Sequence, residues 1–124
     1  MSTNSNISIV NADGTTRSIY CHWDGGLWDG GVAQTLIEFY RTESEVNELI
    51  DHGACSSLGG SVNDSLFYHR DRGEDLDIRI NETPNEEYHY TFNNGQWYVC
   101  CPETEWADVI LTEELRVELE KYDG

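Results

Sequence analysis

The stretch SIYCHWDGGLWDGG at residues 18–31 constrains the fold more than any other part of this chain. Alternating apolar and polar residues run into two glycine pairs, at 25–26 and 30–31, and an apolar helical repeat follows them. Glycine pairs allow positive φ angles and close approach of the backbone. The pattern therefore predicts a strand that ends in a tight loop and leads into a helix. Because the loop also combines aromatic rings with carboxylates, it is a candidate site.

The first half of the chain is predicted to form a hairpin followed by two helices. Alternation predicts strands at 6–10 and 15–23, joined by an Asp-Gly turn. A first helix is expected at 31–41. Its apolar stripe consists of Val32, Leu36, Phe39 and Tyr40. Thr42 and Glu45 have the spacing of a capping box, which predicts the start of a second helix.

The middle of the chain carries weaker signals. Residues 54–65 are small, polar and rich in glycine, and this composition predicts a loop. Short strands are predicted at 66–69 and 77–80, with a charged turn at 70–75 between them. A further turn is expected at 83–87, around a proline.

The strongest hairpin signal is Asn93-Asn94-Gly95, which is flanked by alternating aromatic runs at 88–92 and 96–101. A final helix is predicted to begin at Thr112. Together these elements predict a single α+β domain spanning 1–124. Its expected architecture is an antiparallel sheet of about five strands with two or three helices packed on one face.

The composition is strongly acidic, with 24 Asp and Glu against 7 Lys and Arg and a formal net charge of −17. A field of this sign repels nucleic acids and anionic membranes, so neither is expected as a direct partner. It favours basic partners, including the nucleic-acid-binding clefts of other proteins. Solubility, or a salt-rich environment, is the alternative explanation for the acidity.

The sequence also lacks the signals of membrane insertion and export. No apolar run approaches the length of a membrane span, and the opening residues MSTNSNISIV have neither the basic nor the apolar region of a secretory signal. These features predict a soluble intracellular protein.

The cysteines are Cys21, Cys55, Cys100 and Cys101. In an intracellular protein we expect them to be buried thiols rather than disulfides. Cys100 and Cys101 would point to opposite faces of a strand. His52 lies three residues before Cys55, but this single pair does not make a metal-binding motif, and we predict neither a metal nor a cofactor.

Several motifs resemble a family of small acidic proteins of unknown function encoded by bacteriophages and other mobile elements. The resemblance covers most of residues 1–100 and rests on YCHWDGG at 20–26, LIEFY at 36–40, VNELIDHG at 46–53, SSL at 56–58, RDRGED at 70–75 and EEYHYTFNNGQWYV at 86–99. The chain departs from the family where Gly26-Leu27-Trp28 replaces a Tyr-Pro element. The resemblance implies a phage accessory protein that works in the bacterial cytoplasm on host machinery.

His22 and Asp24 are the candidate residues for acid–base chemistry. On a strand the two side chains would share a face, and a histidine–carboxylate pair can transfer protons in a hydrolase. Cys21 precedes His22 but would lie on the other face of the strand, so the sequence places no Ser or Cys nucleophile beside the pair. The alternative is that His22 anchors the loop through a hydrogen bond to Asp24.

A second candidate site combines two of the few basic side chains with tryptophan rings. Arginine binds phosphate through its planar fork, and a tryptophan can stack on a nucleobase. Such a nucleotide pocket, which would sequester an immune signal, would be formed by Trp23, Asp24, Trp28, Arg70 and Arg72. The alternative is that both arginines pair with carboxylates of the same charged segment and only fix the turn.

The favoured hypothesis is a non-enzymatic phage inhibitor. Its acidic surface would imitate DNA and occupy a basic groove of a host defence or nucleic-acid-binding protein. The carboxylates expected to meet this partner lie in two groups, near the charged turn and on the last helix: Glu74, Asp75, Asp77, Glu113, Glu114, Glu118 and Glu120. Trp106 is expected either to seal the core or to anchor a homodimer.

Overall fold

A computed structural model describes residues 3–82 and 86–121 of the chain. Within these residues the protein has four α-helices and eight strands. The strands are β1 Ser5–Val10, β2 Thr16–Cys21, β3 Cys55–Ser57, β4 Leu66–Phe67, β5 Arg79–Ile80, β6 Tyr88–Asn93, β7 Gln96–Cys100 and β8 Val109–Ile110. The helices are α1 Val32–Phe39, α2 Glu43–Asp51, α3 Tyr68–Arg72 and α4 Glu113–Glu120.

The strands form one mixed sheet in the order β4-β3-β2-β1-β6-β7-β8, and β5 also pairs with β2. The α+β class is confirmed. The predicted antiparallel sheet of about five strands agrees only roughly, because β1 pairs in parallel with β6 and β2 pairs in parallel with β3. Alternation identifies a strand but does not say which strand lies beside it. β3 and β8, with three and two residues, are also too short to show alternation and were not predicted.

The two predicted hairpins are confirmed. In the first, Ile7 lies opposite Ile19, and both side chains are buried on the core face. In the second, Phe92 lies opposite Trp97, and the connecting Asn94 and Gly95 have φ angles of 55° and 79°. Positive φ at both central residues is the geometry that a two-residue hairpin turn favours.

The three predicted helices, α1, α2 and α4, begin close to where the sequence places them. The hydroxyl of Thr42 accepts a hydrogen bond from the Glu45 amide at 3.2 Å, and the Glu45 carboxylate accepts one from the Thr42 amide at 3.1 Å. This capping box starts α2, as predicted. The stripe of α1 is only partly correct, because Phe39 is half exposed. Tyr40 is buried, as predicted, although the chain leaves the helix there, and its hydroxyl donates to the Gly59 carbonyl.

Three boundaries differ from the predictions. The segment 54–65 contains β3, which the polar composition concealed. The strand predicted at 66–69 is only two residues long. α3 covers the first half of the charged turn predicted at 70–75 and ends at Gly73 with φ 67°. β2 ends at Cys21, so His22 and Trp23 lie in the loop rather than on the strand. The turn expected at 83–87 falls partly outside the described residues.

The core lies on one face of the sheet. Inward side chains of β1, β2, β6 and β7 form one buried cluster with the apolar residues of α1 and α2 and with Leu119 of α4. The opposite face carries polar side chains such as Ser8 and Ser18, whose hydroxyls share a hydrogen bond of 2.6 Å. None of the helices among the described residues has the length and apolar character needed to cross a membrane.

A buried arginine attaches α4 to the glycine-rich loop. The guanidinium of Arg116 is 1% exposed and donates to the Leu27 carbonyl at 2.6 Å, to Asp29 at 2.9 Å and to Glu113 at 2.6 Å. An ion pair of 3.5 Å links it to Glu120. The hydrogen bond with Glu113 raises the pKa of Arg116 above its ordinary value, so this side chain stays charged.

Replacing Arg116 should destabilise the whole domain. In Arg116→Met, the buried carbonyl of Leu27 loses its donor and three carboxylates lose their shared cation. We expect urea denaturation to show a loss of about 2–4 kcal/mol in the free energy of unfolding.

The control is Arg79→Met, since the Arg79 ion pairs are half exposed. That variant should lose less than about 1 kcal/mol. Equal losses in the two variants would contradict a central role for Arg116.

Candidate functional site

An open, acidic concave surface of about 740 Å³ lies on the side of β2. Its walls are formed by the end of β2, the start of α3 and the segment that follows α3. The lining residues are Tyr20, Ala54, Tyr68, Gly73, Glu74, Asp75, Leu76 and Asp77. Three of them are carboxylates and none is basic, so we call this feature the acidic cleft.

Backbone hydrogen bonds set the shape of the acidic cleft. The Ala54 amide donates to the Asp77 carbonyl at 3.1 Å, and the amides of Tyr68 and Glu74 donate to the carbonyls of Ala54 and Tyr68. Gly53 lies beneath this segment with φ 78°, and a Cβ there would approach Leu76 to 2.8 Å. The wall at 73–77 is therefore held against the sheet by the polypeptide backbone.

Tyr20 joins the acidic cleft to the loop singled out in the sequence. It points away from the core because its neighbours on β2, Ile19 and Cys21, are buried on the other face. Its hydroxyl shares a hydrogen bond of 2.7 Å with Nδ1 of His22. Partial burial, followed by the charge of Glu86, raises the pKa of the Tyr20 hydroxyl. A further carboxylate therefore lies near this end of the cleft.

The carboxylates of the cleft differ in how they are paired. Asp77 forms an ion pair with Arg79 at 3.1 Å. The side chains of Glu74 and Asp75 form no ion pair with any residue in the described part of the chain, and both are exposed. Two of the three predicted partner-binding residues in this segment are therefore available to an external cation.

The two arginines of the predicted nucleotide pocket contact other groups. Arg70 forms an ion pair with Asp71 at 3.0 Å, donates to the carbonyls of Val62 and Ser65, and lies over the Phe67 ring. Its hydrogen bond also lowers the pKa of Asp71. The guanidinium of Arg72 lies 5.1 Å from the centre of the Tyr68 ring.

The tryptophans of that predicted pocket lie in the glycine-rich loop. The Trp23 ring is 46% exposed and meets the edge of His22 at a centroid distance of 4.7 Å. Within residues 3–82 and 86–121, neither Trp23 nor Trp28 makes a hydrogen bond or a cation–π contact with Arg70 or Arg72. The recorded contacts therefore do not favour the nucleotide pocket.

The predicted pair of His22 and Asp24 is not joined by a hydrogen bond. His22 bonds to Tyr20 instead, and β2 has ended before either residue, so they do not share a strand face. Asp24 has φ 55°, and its backbone carbonyl accepts from the Val32 amide at 2.7 Å at the start of α1. The expected anchoring bond from His22 to Asp24 is therefore wrong, and the recorded contacts do not favour the hydrolase.

The cysteines are free thiols, as predicted, and Cys100 is the one that is partly exposed. Cys21 lies directly beside Cys55 in the parallel pairing of β2 and β3. A hydrogen bond with Cys21, together with burial, raises the pKa of the Cys55 thiol, and burial raises that of Cys101 to about 12. Such thiols are poor nucleophiles at neutral pH.

His52, which lies three residues before Cys55 in the sequence, has other partners in the structure. His52 bonds through Nδ1 to the Glu48 carbonyl and stacks on the Phe67 ring. The described residues contain no group of three or more His, Cys, Asp or Glu side chains placed to hold a metal ion.

The acidic residues predicted on the last helix fall into two classes. Glu113 and Glu120 bind the buried Arg116 and serve the fold. Glu114 and Glu118 are exposed and form no ion pair among the described residues. Sequence reasoning missed this division because Arg116 falls on no apolar pattern, although its spacing of three and four residues from the two glutamates was visible.

Comparisons with protein-family models, with curated proteins and with solved structures found no match for this chain. The resemblance to phage proteins therefore stays a prediction, and the acidic cleft must be interpreted from its own geometry.

The glycine-rich loop owes its shape to close packing, and this can be tested at Gly26. A Cβ at this position would collide with the Trp28 ring. Gly26→Ala should therefore lower the free energy of unfolding by about 1–3 kcal/mol in chemical denaturation.

The matching control is the same substitution in a Trp28→Ala background, where the ring is gone. In that background we expect Gly26→Ala to lower the free energy of unfolding much less, so that the effects of the two substitutions are not additive. Additive losses would show that the ring does not set the requirement for glycine.

Proposed function

We propose that this chain is a non-enzymatic binding protein that uses its acidic surface to occupy a basic groove on a partner protein. The observation that supports this proposal is the acidic cleft, where Glu74 and Asp75 remain unpaired beside Asp77 and two tyrosine rings. A concave surface that gathers like charges is unfavourable in isolation, and an incoming cation relieves that repulsion.

The charge balance of the whole chain supports the same proposal. Its 7 basic side chains face 24 acidic ones. Arg17, Arg70, Arg79 and Arg116 already form ion pairs within the described part of the molecule. Most carboxylates therefore have no cation of their own, and a basic partner would find a strong attractive field.

The setting of the proposal comes from the resemblance to phage proteins. In that setting the partner is a basic host protein, such as a defence or nucleic-acid-binding protein, in the bacterial cytoplasm. Carboxylates at the acidic cleft and on α4 would stand where the partner otherwise holds phosphates. The proposed effect is inhibition by competition with nucleic acid, with no chemical step.

Capture from a bacterial lysate at low and high salt tests the proposal. The immobilised protein should retain a basic protein, identified by mass spectrometry, and duplex DNA should displace it. The affinity of the purified partner should fall by about tenfold or more between ~50 and ~200 mM salt, because contacts between opposite charges are screened.

Charge variants sharpen this experiment. Replacing Glu74, Asp75, Glu114 and Glu118 by their amides removes four unpaired carboxylates and leaves the Arg116 ion pairs intact. This variant should keep its stability and lose most of its affinity. A complex that resists salt, or that binds DNA at the same time, would refute the proposal.

A further inference from the structure

The acidic cleft has a feature that a purely electrostatic surface lacks, namely tyrosine rings. Tyr20 and Tyr68 both line it, together with the three carboxylates. Its volume of about 740 Å³ lies within the range of ~300–1,000 Å³ typical of pockets that enclose organic groups. The cleft therefore has room for a long side chain as well as groups that recognise its charge.

A guanidinium of the chain itself already lies on the Tyr68 ring. The guanidinium of Arg72 lies over that ring, 5.1 Å from its centre. Arg72 forms no ion pair within residues 3–82 and 86–121, although the exposed carboxylates of Glu74 and Asp75 follow it closely in sequence. The guanidinium of Arg72 thus contacts the ring and forms no ion pair there, as a favourable cation–π contact allows.

We infer that the acidic cleft receives an arginine side chain of the partner protein, stacked against tyrosine and bound by Glu74 and Asp75. This inference rests on the proposed function and names the group that the site recognises. Arginine suits the cleft better than lysine because its planar guanidinium stacks on aromatic rings and binds a carboxylate through two parallel hydrogen bonds. A lysine ammonium would gain only the charge attraction.

Arg72 is then an internal competitor for the Tyr68 ring. It occupies the Tyr68 ring and adds positive charge beside Glu74, so an incoming arginine must displace it or share the ring. Removing the Arg72 guanidinium should therefore strengthen the binding of an external arginine, whereas a purely structural role for Arg72 predicts no gain.

The test uses two synthetic peptides, one with six arginines separated by glycines and one with six lysines in the same positions. Each is titrated into the full chain while the ring signals of Tyr20 and Tyr68 are followed by NMR. We expect the arginine peptide to bind more tightly and to shift both rings. Tyr68→Leu should weaken arginine binding by about threefold to tenfold and change lysine binding little, and Tyr68→Phe should keep the preference for arginine.

Two double variants distinguish binding in the cleft from attraction by the overall negative charge of the chain. Glu74→Gln with Asp75→Asn and Glu114→Gln with Glu118→Gln each remove two exposed, unpaired carboxylates, but only the first pair lies in the cleft. The first pair of substitutions should lower the affinity for the arginine peptide several-fold more than the second pair does. Arg72→Gln should raise the affinity for this peptide. Equal losses from the two pairs, or equal affinity for both peptides, would overturn the inference.

The outcomes for the cleft and for the proposed function are distinguishable. If a basic host protein is captured in a salt-dependent manner but binds Tyr68→Leu as well as the unchanged chain, the proposed function stands and the cleft inference fails. If the arginine peptide binds in the cleft while no basic protein is captured, the cleft inference stands and the proposed function fails. Binding of free arginine as tightly as the peptide would show a small-molecule site and overturn the assignment to a protein partner.

Discussion

The domain depends on one buried guanidinium. Arg116 joins α4 to the loop that follows the first hairpin, and it does so from a position that is almost completely shielded from water. The loop in turn leads into α1. This contact therefore connects α4, near the end of the chain, with the first helix, near its start. A chain with so few cations places one of them where its neutralising effect on nearby carboxylates is strongest. The acidity of the surface is thus compatible with a stable interior.

Local chemistry made a large part of the fold predictable. The hairpin turns, the capping box at Thr42 and the inward faces of the long strands all follow from interactions between residues close in sequence. The parallel pairing of β1 with β6 does not, because nothing in either strand specifies its neighbour. Of the two-residue strands, β8 was not predicted, and β4 and β5 are shorter than the strands predicted at 66–69 and 77–80. Their limits depend on the sheet around them rather than on a pattern of their own.

The residues of the candidate site were likewise only partly predictable from the sequence. The carboxylates at 74–77 were visible as a charge run, and the outward position of Tyr20 follows from alternation on β2. Tyr68 could not be assigned to the site from sequence, because α3 was not expected and a strand would have pointed its ring elsewhere. Arg70 and Arg72 were candidates for a pocket with the tryptophans, but aromatic rings within their own short segment are the partners that they contact. Tertiary structure decided among contacts that the sequence left open.

The central position of β1 also bears on how the chain reaches its native state. Its parallel neighbour lies far along the chain, and Asn6 meets His89 across an interval of 83 residues. During synthesis the first hairpin emerges with one edge of β1 unpaired. That edge remains unpaired until β6 leaves the ribosome. Such a delay lowers the folding rate and exposes an edge on which strands of other chains can pair. Mutual repulsion between highly anionic nascent chains would then protect this intermediate from aggregation.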